Sequence, residues 1–587
     1  MRELIGRLSV LLTARERRQA AALFGLMMVG AMLEMLGVGA IPAFVTLLSD
    51  PTGLDRLPAA QRLAVWLGAD TPERLVIVGA VALFVLFAVK NLYLVALSWV
   101  QARYVYNRQV AVAQRLLWRY LRAPYTFHLQ RNSAELLRAS NQDAMEVIGS
   151  GLIPLLTLAM EALTVTAVLG LLLYFEPLTS AVAFTILGGS TAIFLRVLRR
   201  RTLRYGQQMH ESRLGMLKAV NEGLGGIKVT RVLGRERDFF DAFAGASATY
   251  SRTGRMRQVL VEVPRLFLET AGIGGLLGVA VLLSWQGRPA TALVPTLALL
   301  AVAVVRMIPS FNRITNALNS IRYGRAAIDA VYHDLTVEMP GETPQAEAIP
   351  LRDAIRLDGV TFTYPGSDTP SLSGVTLTVR RGESVGFVGP TGSGKTTLVD
   401  LVLGLLAPDE GRVTVDGVDI RGRERAWQRN VGYVPQDVYL TDDSIRRNVA
   451  FGIAEADIDD AAVWRAVEAA QAREFVDRLP EGLATLVGER GVRLSGGQRQ
   501  RLGIARALYH DPAVLVLDEA TSALDHETEA AVMDAVEHLR GERTILMIAH
   551  RLTTVEACDT VVLLRSGRLA ETPAPDGLSA APAAVHG

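Results

Sequence analysis

Six separate runs of mostly apolar residues constrain this chain more than any other feature: Ala20–Leu48, Leu75–Val100, Val147–Phe175, Leu178–Leu198, Val261–Trp285 and Thr291–Ile314. A helix needs about 20 such residues to cross the hydrocarbon core of a bilayer. Polar segments separate the runs, which argues against buried helices of one large soluble core. Half of the 587 residues are hydrophobic, and the excess sits in the first part. Beyond about residue 350 the pattern reads as an ordinary soluble α/β domain. The expected architecture is an α-helical membrane domain with six transmembrane helices and long cytosolic extensions, fused to an α/β domain. Its expected divisions are a membrane domain at 1–334, a Pro-rich acidic linker at 335–350, the soluble domain at 351–570 and a disordered Ala/Pro-rich tail at 571–587.

Basic residues give the orientation. The N-terminal tail carries Arg2, Arg7, Arg15, Arg17 and Arg18. The segment between the second and third runs carries Arg103, Arg108, Arg115, Arg119, Arg122, Arg131 and Arg138, and Arg199, Arg200, Arg201 and Arg204 follow the fourth. The other connections are poor in Arg and Lys. The positive-inside rule therefore places the N-terminus and the α/β domain in the cytosol. Both cytosolic segments have helical patterns and should extend the membrane helices before turning. Pro124 breaks one, and Gly223, Gly225 and Gly226 break the other. Short helices at these tips would be natural contacts for a cytosolic domain. In the first external connection, Ser49–Arg74, the stretch from Pro58 to Leu67 reads as a short amphipathic helix with Leu63, Trp66 and Leu67 on one side. It fits an interfacial helix or a small cap on other loops equally well.

Net charge is only +2, so no basic field points to nucleic acid. The single cysteine, Cys558, excludes an intramolecular disulfide framework. The long first apolar run, with no small-residue cleavage pattern, does not read as a cleavable signal peptide.

The chemistry lies after residue 350. Ser384–Thr397 reads as a strand, a glycine-rich loop and a helix start, and Gly389–Thr396 fits the phosphate-loop pattern. Within Gly389, Thr391, Gly392, Ser393, Gly394, Lys395, Thr396 and Thr397, the glycines let N–H groups turn inward around phosphate oxygens. The helix adds its positive end. Lys395 can reach the β- and γ-phosphates of ATP, and Thr396 offers a hydroxyl to Mg²⁺. Downstream, Ala513–Glu519 is an apolar strand that ends in two carboxylates. Asp518 would hold Mg²⁺, directly or through water, and Glu519 would polarise the attacking water as general base. A solvated turn is the bland alternative for an Asp-Glu pair, and a buried strand with a phosphate loop upstream weighs against it.

Between these motifs stands Leu494-Ser-Gly-Gly-Gln498. This pentapeptide resembles the signature of ABC ATPases, and the whole chain resembles an exporter-type ABC half-transporter. The resemblance implies an ATPase coupled to transport, with ATP and Mg²⁺ as cofactors and the ATPase domain cytosolic at the inner (plasma) membrane. It assigns Tyr364 to adenine stacking, Gln436 to the lever that contacts Mg²⁺ and the membrane domain, and Asp525 to the loop coupling two sites. His550 resembles the switch histidine on the γ-phosphate, and Gly488-Glu-Arg-Gly491 the loop through which exporters sense their membrane helices. Singly, Tyr364, Gln436 and His550 have ordinary structural alternatives; their joint order and spacing carry the assignment.

In this family ATP lies between the phosphate loop of one subunit and the signature of the other. Ser495, Gly496, Gly497 and Gln498 would therefore serve a second chain's nucleotide. Both half-sites look intact, so a homodimer is the simplest assembly, with a heterodimer as the other option. The chain begins close to the first span, which leaves no room for the N-terminal peptidase domain of some peptide exporters. The Ser49–Arg74 loop and the segment Asn221–Glu236 resemble bacterial flippases for lipid-linked oligosaccharides. A lipid or multidrug exporter is the alternative. A soluble ABC ATPase acting on nucleic acid or ribosomes conflicts with six apolar runs, and a passive channel would not need Glu519.

Four cations inside the spans, Lys90, Arg265, Arg306 and Arg313, are expected to form a site for substrate phosphates. At about 1.5 Å per residue all four fall in the cytosolic half of the bilayer or at its boundary. Arg306 and Arg313, seven residues apart, share a helix face. The alternative is snorkelling to headgroups or pairing with Glu34, Glu161 and Glu269.

Overall fold

In a computed structural model of the chain, residues 2–49, 71–175, 211–285, 290–337, 347–519, 536–549 and 558–570 are described, with isolated positions between 176 and 210 and between 530 and 555. The expected fourth span, the amphipathic helix of the first external connection, Asp525, His550 and the tail lie outside them.

Two compact units form. The first holds Met1–Arg122 and Ser133–Glu338, the second Ala123–Asn132 and Met339–Gly587. The first unit starts with helix α1 (Arg2–Val10), α2 (Ala14–Ser49) and α3 (Pro72–Arg122). The chain then joins the second unit for ten residues, which include α4 (Tyr125–Gln130). It returns as α5 (Ser133–Arg138), passes through two π-helical segments, Ala139–Asp143 and Val147–Leu152, and continues as α6 (Ile153–Phe175). Then follow α7 (Ile227–Val232), α8 (Glu236–Trp285), α9 (Ala290–Tyr323) and α10 (Arg325–Thr336).

Helix α3 has 51 residues and α8 has 50. At 1.5 Å per residue each is about 75 Å long, far beyond a hydrocarbon core of about 30 Å. The cytosolic extensions expected from polarity are thus continuous with their spans. Among the described residues Ala14–Val45, Glu73–Arg122 and Glu135–Tyr174 are long and apolar enough to cross a membrane. The fifth and sixth apolar runs lie in α8 and α9. Large apolar side chains remain exposed along α3 and α9, including Phe84, Leu92, Val95 and Val305, as lipid-facing surfaces require.

Inside, Leu23 and Met27 of α2 meet Leu97, Tyr104 and Val105 of α3 and Ile148 and Leu152 of the second π segment. Val38, Val168, Leu172 and Met307 join α2, α6 and α9. Gly324, between α9 and α10, is a close approach. A Cβ there would collide with Ser150 of the second π segment.

The second unit contains two sheets. A four-stranded antiparallel sheet has the order β2–β1–β4–β5: β1 (Ala354–Phe362), β2 (Leu372–Arg380), β4 (Glu410–Val415) and β5 (Val418–Asp419). The other has the order β10–β9–β3–β8–β7–β6, with β3 (Ser384–Val388), β6 (Val431–Val434), β7 (Val514–Asp518), β8 (Thr544–Ile548), β9 (Thr560–Arg565) and β10 (Arg568–Ala570). All its pairings are parallel except β9–β10. Strands β3, β7 and β8 are buried throughout, which is why they read as unbroken apolar runs. Helix α11 (Lys395–Val402) follows β3, and α12 (Gly496–Leu508) carries the signature. The buried indole of Trp427 donates to the Val402 carbonyl at 2.7 Å and fixes the end of α11. The phosphate loop, Gln436 and the Asp518-Glu519 pair all leave the carboxyl ends of β3, β6 and β7, the edge where parallel sheets bind ligands.

Candidate functional site

The glycine loop is shaped for an anion. Gly394, at φ 101°, caps α11, and a Cβ there would come within 2.7 Å of the Ser371 carbonyl. Only glycine suits both the conformation and the space. The buried Ser393 Oγ has no hydrogen-bond partner among the described residues. Buried Lys395 turns its ammonium back on its own loop and donates to the carbonyls of Gly389 (2.9 Å) and Pro390 (3.1 Å). Burial holds its pKa below the ordinary lysine value, while Glu519 and Asp518 act in the opposite sense. An orphaned hydroxyl and a cation resting on carbonyls fit a loop that accepts phosphate oxygens.

Tyr364 and Thr397 share a hydroxyl–hydroxyl bond of 3.1 Å, and Tyr364 stands edge-on to Phe362 with ring centroids 5.0 Å apart. This half-buried ring therefore has a fixed place beside the loop. Thr391, Gly392 and Thr396 are exposed on it.

At the end of β7, Asp518 is buried and accepts from the Tyr433 hydroxyl at 3.4 Å. Burial, and then Asp518, push the Asp400 carboxyl on α11 up to about 6. Burial first, and the same two carboxylates after it, raise the Tyr433 phenol. Glu519 adopts φ 47°, a left-handed conformation that non-glycine residues avoid. Its N–H donates to Ile548 at 3.1 Å, and its Oε2 accepts from Gln436 Nε2 at 2.8 Å. Two motifs 83 residues apart thus meet side chain to side chain. The bond also leaves the amide oxygen of Gln436 as the end that can face a metal.

The signature opens α12 with a capping box. Ser495 Oγ accepts from Gln498 N at 3.3 Å, and Gln498 Oε1 accepts from Ser495 N at 2.9 Å. Ser495 and Gly496 are exposed, and Gly497 is buried in the first turn. Among the described residues no hydrogen bond joins Ser495–Gln498 to Gly389–Thr397. Gly488–Gly491 forms a tight turn with Arg490 at φ 53°.

Sequence reasoning missed Asp400, Tyr433, Asn448 and Arg506. Arg506 of α12 donates to the carbonyls of Asn448 (2.8 Å) and Tyr439 (2.7 Å) and to Asn448 Oδ1 (3.1 Å). It ties the signature helix to the segment after Gln436. Such a bond depends on tertiary packing, and no local spacing announces it.

Three of the four membrane cations have carboxylate partners. Lys90 Nζ lies 3.5 Å from Glu34 Oε2 and 4.4 Å from the centre of the Phe87 ring. Arg306 engages the same carboxylate with two nitrogens, Nε to Oε2 and Nη2 to Oε1, both at 2.9 Å. Arg313 Nε lies 2.5 Å from Glu161 Oε1. The pairing alternative therefore describes these three. The side chain of Arg265 is outside the described residues.

Residues 372–522 match the family model described as ABC transporter, and 60–263 the one described as ABC transporter transmembrane region. Similar curated proteins include the ATP-dependent lipid A-core flippase of Dechloromonas aromatica, 34% identical over 82% of this chain and 83% of that protein. Those of Cupriavidus metallidurans (36%, covering 77% and 76%) and Bordetella pertussis (32%, covering 92% and 85%) are also similar. A solved bacterial Atm1-family ABC exporter with ATP bound superposes with a TM-score of 0.76 at 25% identity, over 98% of this chain and all of that one.

Proposed function

This chain belongs to the ABC transporters as an exporter-type half-transporter, and from that premise we propose that two copies use ATP to flip an anionic glycolipid across the inner membrane. In each copy Lys395 would leave the Gly389 and Pro390 carbonyls for the phosphates, and Glu519, oriented by Gln436, would take the proton of the attacking water. Thr396, Gln436 and Asp518 are oxygen donors of the hard kind that suits Mg²⁺. When bound, the ion neutralises charge on the β- and γ-phosphates. His550 and Asp525 would complete the site.

Ser495 and Gly497 would serve the nucleotide of the second copy, with the N-terminus of α12 directed at its γ-phosphate. Two features support the homodimer. The first cytosolic tip, Ala123–Asn132, belongs to the unit of its own ATPase domain. The second tip leaves Leu224, Val232 and Leu233 exposed, with Val232 at 78%. An apolar tip of this kind calls for a partner surface.

The observation that carries the substrate reading is the meeting of two cations, Lys90 and Arg306, on one carboxylate. The excess positive charge lies in a medium where charge is costly, and a phosphate would neutralise it. Arg313 and Arg265 would extend the site. The relatives' names favour a lipid A-core type of glycolipid. The cation set also favours a polyprenyl-pyrophosphate-linked oligosaccharide.

Lipids retained by purified Glu519→Gln protein test this reading. Mass spectrometry should find one phosphorylated glycolipid enriched over the bulk membrane, and adding Arg306→Gln and Arg313→Gln should remove the enrichment. Co-purified lipids that mirror the bulk membrane would overturn the reading in favour of a general lipid or drug exporter.

A further inference from the structure

The two carboxylates that pair with these membrane cations differ in how completely they are used. Glu161 has its Oε1 on Arg313, while its buried Oε2 has no hydrogen-bond partner among the described residues. Glu34 is saturated. Oε1 takes Arg306 Nη2, and Oε2 takes both Arg306 Nε and Lys90 Nζ. Glu34 is 6% exposed and Lys90 8%, whereas the side chain of Arg306 keeps 23% exposure.

The three residues come from α2, α3 and α9, so the cluster ties three helices together. The stem of Lys90 lies against α2 at Gly37, where a Cβ would meet Lys90 Cδ at 3.4 Å. The ammonium then reaches back to Glu34, with the Phe87 ring beneath it. Arg306 presents a planar two-nitrogen edge to a planar two-oxygen carboxylate. That edge matches two oxygens of a phosphate equally well. Glu34 therefore occupies the face of Arg306 that an incoming phosphate would need.

Resting on the cationic-site reading above, we propose that Glu34 is a resident counter-ion that competes with the substrate phosphate for Arg306 and Lys90, and that its return to them drives substrate release. In the empty state the carboxylate lowers the cost of the buried Lys90 and the partly buried Arg306. A lipid phosphate entering from the exposed side of Arg306 displaces it. When the helices rearrange, Glu34 recaptures Arg306 and the phosphate leaves. Affinity is thus traded for turnover, because the phosphate is held less tightly in the state in which Glu34 is back on Arg306.

The test uses full-length wild type, Glu34→Gln, Glu34→Asp, Arg306→Gln and the double variant Glu34→Gln/Arg306→Gln in phosphatidylcholine nanodiscs. Bisphosphorylated lipid A and undecaprenyl pyrophosphate are titrated in separate arms, and stimulation of ATP hydrolysis is read. Glu34→Gln should lower the half-saturating lipid concentration about tenfold, ~1.4 kcal/mol, and also lower the maximal stimulated rate. Glu34→Asp, which keeps the charge on a shorter stem, should fall between it and wild type, and it serves as the test if Glu34→Gln does not fold. The double variant should show no gain in affinity. The arm that responds identifies the source of the phosphate. If Arg306→Gln weakens the response while Glu34→Gln and Glu34→Asp leave half-saturation unchanged or raise it, the counter-ion role is wrong and the cationic site stands. If Arg306→Gln responds as wild type in both arms, the cationic-site reading itself fails.

Discussion

Glu519 carries a cost that a purely structural residue would not keep. Its backbone is held at φ 47°, a strain of about 1–3 kcal/mol for a residue with a Cβ. Its carboxylate, beside Asp518 at the carboxyl end of β7, accepts from Gln436 at 2.8 Å and acts with Asp518 on the Lys395 ammonium. The strain aims the side chain at the place where Gln436 meets it. Glu519→Gln removes the base but not the cradle, so ATP binding should persist while hydrolysis falls by about 10²–10⁴-fold. Lys395→Ala removes a phosphate contact, so binding and hydrolysis should fall together. Phosphate release and nucleotide retention, measured on the same purified samples, separate the two. Near-normal turnover in Glu519→Gln would remove it from the catalytic role. These roles were legible because each motif is local: glycines at fixed offsets, and two carboxylates at the end of an apolar strand. Family resemblance gave Gln436 a role at Mg²⁺ and the membrane domain, but its bond to Glu519 was not legible in the sequence. Asp400, Tyr433 and Arg506 were invisible, since their partners are set by the stacking of helices on the sheet.

Helices were legible in proportion to their hydropathy. The runs at Leu75–Val100 and Val261–Trp285 marked α3 and α8, and the polar helical patterns beside them marked the extensions. The rotation of each helix was not legible. Helices α2 and α6 are apolar on nearly all sides, so no stripe says which face Glu34 or Glu161 occupies. The choice between a free cationic site and ion pairs therefore stayed open until the helices were packed. The π segments at Ala139–Asp143 and Val147–Leu152 left no sequence signal either. The second sets how closely Ser150 approaches Gly324. Gly324→Ala should cost about 1–3 kcal/mol through overpacking and lower the thermal unfolding midpoint in detergent, and Gly324→Val should lower it further. Unchanged midpoints in both would show that this contact is loose.

The whole chain combines a membrane unit with charged clusters at its core and an ATPase unit that carries a phosphate loop and a signature helix. The phosphate loop and the capped N-terminus of α12 share no hydrogen bond among the described residues; that each completes a site on another copy is an expectation. Family resemblance supplied that expectation; composition and periodicity could not, because assembly depends on surfaces that only the folded chain presents. The central claim is that a pair of chains, joined through composite ATP sites, moves a phosphorylated lipid. The most direct test reconstitutes Lys395→Ala chains and Ser495→Arg chains into proteoliposomes, separately and mixed. ATP-dependent movement of fluorescent bisphosphorylated lipid A or undecaprenyl pyrophosphate is then followed beside the wild type. The account predicts transport by the wild type, none by either variant alone, and partial recovery in the mixture, where one composite site is whole. A wild type that hydrolyses ATP but moves neither lipid, or a mixture as inactive as its components although mixed dimers have formed, would contradict it.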